Sequence, residues 1–524
     1  MKREFHADII IIGGGTGGTA AALAAAKSGK TVIMTEETLW IGGQLTSQAV
    51  PPDEHRWIES FGCTRSYRQF RDGIRQYYRQ FFPLTAEAIA LPHLNPGSGI
   101  VSRTSHEPRA AVAVLHGMLA PYIHSGQLQI LYRHVLVEAE TTGDQIRSVT
   151  VKCLDTGDQL VLLAPIYADA TECGDLLPLA GIEYVTGAES AAQTGEPHAV
   201  EGPAQPMNMQ GFTSCFAMDY RDGEDYTIAK PELYEFWRDY KPDFWPDRLL
   251  SLSGIKPSTL EPIQYGLFAD TDKFPLFLYR QIADHRHFRA GTYPGSISLV
   301  NWPQNDYWLG PIIDVSEEER ARHLYQAKQL SLSLLYWLQT AAPRPDGKAG
   351  YPGLRLRPDV VGTADGLAMY PYIRESRRIQ AQFTVLEQHV AAACRTDGQA
   401  EKFHDSIGIG SYRIDLHPST GGQSYIDISS LPFQIPLGSL IPKRVSNVLA
   451  AGKNIGVTHI TNGCYRLHPV EWNIGEAAGY CASYCLDHNV NPTDIRSSGK
   501  ELADFQNRLI QEGIELEWPS IHAV

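Results

Sequence analysis

The chain has 524 residues, 43% of them hydrophobic and 20% charged, and a formal net charge of −14. This is the composition of an ordinary globular protein long enough for two or more domains, and its acidic balance argues against nucleic acid or an anionic membrane as partner. No stretch reaches the ~18 apolar residues of a membrane span. The eight cysteines, at 63, 153, 173, 215, 394, 464, 481 and 485, show neither C-x-x-C nor zinc spacing, so no metal is expected, and Met1 to Ala7 carry no signal-peptide pattern. The expected compartment is a reducing one, the cytoplasm.

From Asp8 to Glu36 the chain reads as an apolar strand (Ile9 to Ile12), a glycine turn (Gly13 to Gly18), an alanine-rich helix (Thr19 to Lys27) and a second strand ending in Glu36. Gly13 makes the tight turn, Gly15 admits a pyrophosphate to the backbone, and Gly18 lets the helix pack on the strand. The free N–H groups of the helix start, around Thr16 and Gly17, face the phosphates. Glu36 can accept both ribose hydroxyls, and its charge would repel a 2′-phosphate. A dinucleotide other than NADP is implied.

Next come a second glycine pair in Trp40 to Thr46, an amphipathic helix over Ser66 to Phe82, a turn-rich Leu91 to Pro108 and a helix over Arg109 to His124. Segments Gln127 to Ala139, Ile146 to Leu154 and Gln159 to Ala168 read as a small antiparallel meander. Residues 185 to 430 change character: Pro- and Trp-rich, with aromatic loops at Phe236 to Pro246 and Leu299 to Trp308, and long helices only at Ser316 to Gln339 and Arg374 to Ala393. The α/β pattern returns after Pro432, with a strand at Val445 to Ala451, an irregular stretch Gly456 to Pro469 and a helix Trp472 to Leu486. The domain expectation is a discontinuous cofactor domain (1–185 and 430–490), an inserted substrate domain (186–429) and a helical extension (491–524).

Taken together, the opening βαβ with Glu36, Gly42-Gly43, Asp169-Ala170-Thr171, Asn447 to Gly452, Tyr372 to Arg378, Asp405 to Gly410 and Gly475 to Gly479 resemble the FAD-dependent oxidoreductases of the glutathione reductase-like superfamily. The resemblance implies an α/β fold: a Rossmann-type FAD-binding domain with a parallel sheet, a small antiparallel β-meander and an inserted α+β substrate domain. It implies FAD held by Gly13, Gly15, Thr16, Gly17 and Gly18, with Glu36 and its neighbour Glu37 at the adenosine ribose. Gly42, Gly43 and Gln44 would run beside the pyrophosphate and flavin, Val135 would pair with adenine, and Ala170 and Thr171 would close the strand end. Two departures stand out. Glu172 replaces the glycine of Ala-Thr-Gly, and Gly452-Lys453 replaces Gly-Asp, leaving backbone contacts from Gly452 and Asn454. Gly475 and Ala478 on the last helix would approach the flavin, or else pack in a core.

A second G-x-G-x-x-G and a C-x4-C redox pair after the first helix are both absent, so FAD is expected to act alone, taking hydride from a small polar metabolite and passing it to dioxygen or another acceptor. The companion proton needs a base. His459 and His468, with Arg466, are the candidates in the irregular stretch before the last helix. Arg374, Arg377 and Arg378 would clamp a carboxylate from one helix face or simply pair with Glu375 and solvent; Arg413, Asp415 and His417 share one side of a strand. Cys63 or His55 would be the anchor if FAD were covalent. Other readings are a fumarate-reductase-like reductase or desaturase, and a non-catalytic flavin-binding or RNA-modification protein, the last disfavoured by the acidic balance. The expected partner is a small-molecule substrate. Oligomeric state is left open, a homodimer included.

Overall fold

The computed structural model describes residues 3–519; residues 1–2 and 520–524, which the expected first and last segments include, lie outside the described residues. Five parallel strands make the central sheet, in the order Val448–Ala450, Ile166–Asp169, Ile9–Ile12, Val32–Glu36 and Leu128–Tyr132. Ile9 to Ile12 are buried throughout, as a strand covered on both faces requires. The helix after the glycine turn, Thr16–Lys27, lies against the long helix His468–His488. Their contact is backbone on backbone: a Cβ on Gly475 would run into the Gly17 carbonyl, and one on Gly479 into that of Ala21.

A second sheet orders Arg3–His6, Gln159–Leu163, Gln145–Cys153 and His134–Thr142, antiparallel except for its first pair. Two strands expected of the meander are each divided between sheets. Arg133 adopts a φ of 59°, which ends Leu128–Tyr132 in the parallel sheet and turns His134–Thr142 into the meander. Pro165, which has no N–H to give a ladder, separates Gln159–Leu163 from Ile166–Asp169. The apolar run Leu160 to Tyr167 carries straight through the second break.

In the middle of the chain a four-stranded antiparallel sheet runs Gln281–Ala283, Ile297–Val300, Phe216–Tyr220, Leu354–Leu356. Helix Glu317–Thr340 starts at Ser316, whose hydroxyl accepts from the Glu319 N–H at 3.2 Å. Trp237, Trp245, Trp302 and Trp308 are buried in one core here, so the aromatic stretches read as loops are packing elements.

The expected helix Arg374 to Ala393 does not form. Only Glu387–Val390 and a 3-10 turn Ala392–Cys394 are helical, and Arg378–Ile379 pairs as a strand with Tyr184–Val185. Buried Arg374 and Arg378 each reach partners on several other segments, and these tertiary bonds override the helical propensity. Conversely, the stretch read as irregular holds a helix, His459–Tyr465, capped by the Thr458 hydroxyl accepting from the Thr461 N–H. Among the described residues no helix is long and apolar enough to cross a membrane.

Candidate active site

The strand ends and glycine turn open on a cavity of about 670 Å³, a size typical of small-molecule sites. Gly13, Gly15, Glu36, Glu37, Gly43, Val135, Ala170 and Thr171 all line it. The two glycine words are tied together: the Gly42 N–H donates to the Gly14 carbonyl at 2.8 Å, and the Thr16 hydroxyl donates to the Gly42 carbonyl at 2.9 Å. Gly13, at φ +98°, sits where an L side chain is strained, and a Cβ there would meet the Ala170 backbone. At the far end Glu36 accepts from the Thr38 N–H and hydroxyl at 2.7 and 2.6 Å. Burial pushes its carboxyl up to about 7, the Thr38 bonds working the other way.

Thr16, Gly17, Gly18, Gly42, Gln44, Gly452, Asn454, Gly475 and Ala478 stand behind this lining. Gly17, Gly18 and Gly475 provide backbone-to-backbone clearance, and Ala478 is fully buried. Asn454 braces two strand ends, donating to the Asp169 carbonyl at 3.0 Å and accepting from the Gly452 N–H at 3.2 Å.

The two departures from the family pattern meet. Lys453 pairs with Glu172 and, at 3.3 Å, with Glu471, which also accepts from the Gln44 amide. Burial raises the Glu471 carboxyl, with Lys453 opposing. The free oxygen of Glu172 lies 2.6 Å from where a Cβ on either Gly15 or Gly43 would stand, and it makes no hydrogen bond within the chain. The Glu172 carboxylate therefore stands between the two glycine words.

Beyond Gln44 lies a second compartment. The Gln44 amide donates to the Arg466 carbonyl at 2.9 Å; the Arg466 guanidinium reaches the Tyr372 hydroxyl at 3.3 Å and the Asp415 carboxylate at 3.5 Å. Asp415 lies 3.6 Å from Nε2 of His417, whose Nδ1 is 2.6 Å from Asp306, and Asp306 pairs with Arg374 at 2.9 Å. Burial would raise the Asp306 carboxyl, but Arg374 and His417 hold it below its usual range. On another wall Arg280 grips Asp53 with two hydrogen bonds, 2.9 and 3.3 Å, and stacks over Tyr279. Asp415 and His417 keep 22% and 19% of their side-chain surface accessible, with the His417 ring 5.5 Å from that of Tyr425, so the chamber is open to solvent at these two residues.

Of the candidate catalytic residues, Arg466 and His468 border this chamber. His468 Nδ1 accepts from the Asp53 N–H at 3.1 Å. His459 sits apart: its Nδ1 lies 3.0 and 2.9 Å from the two oxygens of Glu375, itself paired with Arg378. Burial raises Glu375, but His459 and Arg378 outweigh it and bring the carboxyl down to about 2. Arg377 turns to Asp175 and Asp314, so the three arginines read as one clamp diverge. His55 is held by the Gly62 carbonyl at 2.9 Å, and burial pushes the Cys63 thiol up to about 12. Asp53, Arg280, Asp306 and Tyr372 carried no sequence role; a charge closing the apolar run Phe274 to Tyr279 was the available hint at Arg280.

Solved structures similar to this chain include L-proline dehydrogenase from P. horikoshii, 15% identical over 36% of this chain and 24% of its own, at TM-score 0.19. A FrdA mutant of E. coli quinol fumarate reductase is 11% identical over 97% of this chain and 74% of its own, at TM-score 0.35. The myxobacterial FAD-dependent halogenase CndH is 12% identical over 97% and 80%, at TM-score 0.33. None of the curated proteins matches. A family model described as FAD dependent oxidoreductase matches residues 8–509. With the glycine cradle and that match across nearly its whole length, the chain belongs to the FAD-dependent oxidoreductase family, and its cofactor is FAD.

Proposed function

We propose that the enzyme removes hydride from a C–H of a small polar metabolite, an alcohol, sugar, amine or hydroxy or amino acid, and that His417 takes the companion proton. Bound FAD supplies a two-electron acceptor that dioxygen or another oxidant regenerates. Gly13, Gly15 and Gly43 would hold its pyrophosphate, Glu36 its ribose and Val135 its adenine.

The observation that carries this reading is the position of Arg466. Its carbonyl is bonded to the second glycine word and its guanidinium to the His417-bearing network, so cofactor cradle and chamber are one residue apart. Asp306 at Nδ1 orients the His417 ring, and with Asp415 3.6 Å from Nε2 the two carboxylates stabilise the imidazolium that forms when the ring takes the proton. Arg466 orients the substrate in this scheme, His468 positions Asp53 behind it, and His459, enclosed by Glu375 and Glu189, braces the fold.

The test is anaerobic flavin bleaching by a panel of sugars, hydroxy acids and amino acids, with His417→Gln beside the wild type. A fall of roughly 10²-fold or more in the reduction rate, with FAD retained, is expected. An unchanged rate moves the proton acceptor elsewhere, and bleaching by no compound in the panel removes the reading.

A further inference from the structure

The cavity at the strand ends is lined by more carboxylates than cations, and among the described residues its permanent cations are Lys152, Arg320 and Arg377. FAD brings a negatively charged pyrophosphate into these surroundings, where the free oxygen of Glu172 already stands between the two glycine words. The start of the helix Thr16–Lys27 answers with only about half an elementary positive charge. A full cation with hydrogen bonds still to give would complete the cradle.

Two of the three cations are not placed for this. Arg377 is engaged within the chain, donating to Asp314 at 2.8 Å and to Asp175 and the Cys173 carbonyl at 3.0 Å each. Lys152 stands in register with Val135 on the antiparallel sheet, at the end of the cavity assigned to adenine. Arg320 differs from both. The one carboxylate within 4.0 Å of its guanidinium is that of Glu317, which is 91% exposed and out of hydrogen-bond range, while 30% of the arginine's own side-chain surface is accessible.

The backbone of Arg320 is fixed by the helix start, its N–H donating to the Ser316 carbonyl at 2.8 Å. Burial works against its charge, and Tyr370, Cys173, Glu37 and Asp175 outweigh it. These neighbours belong to the segments that would surround a pyrophosphate. Glu37 follows the strand Val32–Glu36, Cys173 and Asp175 follow the strand end at Ala170 and Thr171, and Tyr370 is tied to the second glycine word, its N–H donating to the Ser47 carbonyl at 3.1 Å.

We infer that Arg320 binds the pyrophosphate of FAD, so that the helix Glu317–Thr340 supplies the cation that the glycine turn lacks and the cofactor is gripped from two directions. This rests on the placement of the pyrophosphate at Gly13, Gly15 and Gly43 proposed above. A guanidinium gives two parallel N–H bonds to one phosphate, which the point charge of a lysine cannot.

The test measures binding and needs no turnover. Apoprotein is titrated with FAD by fluorescence, and with ADP and adenosine by ligand-observed NMR, in the wild type, Arg320→Gln and Arg320→Lys. Arg320→Gln is expected to weaken FAD and ADP by about tenfold or more and to leave adenosine within about twofold, with Arg320→Lys between it and the wild type. Equal FAD affinity in the wild type and a folded Arg320→Gln protein, or adenosine falling as far as ADP, would overturn the inference. If Arg320→Gln loses FAD and ADP as expected but Gly15→Val binds FAD like the wild type, Arg320 keeps its role and the placement at the glycine words fails.

Discussion

The backbone N–H of Asp53 donates to Nδ1 of His468, 415 residues away in sequence, at 3.1 Å. The acceptor nitrogen carries the lone pair, so the proton of the neutral ring sits on Nε2, with the Val50 carbonyl nearby. Burial, with Arg280 adding to it, pushes the imidazole down to about 3 against the pull of Asp53. His468 is therefore a fixed donor, not a base. His468→Asn should slow flavin reduction by roughly 10²-fold, as displacing a site by about an ångström does, without altering the shape of the pH–rate profile. A profile that loses an ionisation in the variant would make His468 the base.

The same burial makes the fold acid-sensitive. His55 and His106 are pushed down to about 4 and His468 to about 3, in each case chiefly by burial. The unfolded chain takes up these protons near pH 6.5 and the folded chain does not, so stability is fully present above that pH. It is lost as pH falls through the window from about 6.5 to about 3, by on the order of 3 kcal/mol per histidine. Urea midpoints should fall steadily across this window. His55→Asn should reduce the slope, and a slope equal to wild type would remove His55 from the account.

The nucleotide cleft was legible because its parts are local. Gly13 to Gly18 and Glu36 form one βαβ unit, and the spacing of those residues is the geometry itself. The chamber was not, because it is assembled from Asp53, Arg280, Asp306, Arg374, Asp415 and Arg466, each from a different segment, with Arg280 and Asp53 separated by 227 positions. Helical spacing even misled at Arg374 to Arg378, where buried ionic partners on other segments outbid local propensity. The Thr458 cap shows in the sequence only as Thr-x-x-Thr around Ile460, with too little apolar periodicity behind it to mark a helix.

Gly475 and Gly479 carry the contact between the two helices that brace the cleft. A side chain at either position collides with backbone that cannot swing aside, the carbonyls of Gly17 and Ala21. Gly479→Ala should therefore cost about 1–3 kcal/mol, the usual range for overpacking a close contact. Gly475→Ala should in addition weaken FAD retention, since Gly17 lies in the glycine turn itself. Thermal melts of the apoprotein and the flavin content of the purified variants check the two effects separately. Wild-type values for both would mean that the helices can part without consequence.

Lys453 serves two carboxylates, and their removal should not be equivalent. Lys453→Met leaves Glu172 and Glu471 buried without their shared cation and should destabilise the apoprotein by about 3–5 kcal/mol. Glu172→Gln keeps the Lys453–Glu471 pair and should be mild in stability. Its larger effect is on the cofactor: the free Glu172 oxygen lies between Gly15 and Gly43, where its charge opposes a pyrophosphate, so its neutralisation should tighten FAD binding to the apoprotein by about tenfold, or ~1.4 kcal/mol. Fluorescence titration of apoprotein with FAD measures this directly. Weaker binding in Glu172→Gln would mean that the carboxylate supports the cofactor, through Lys453, more than it repels it.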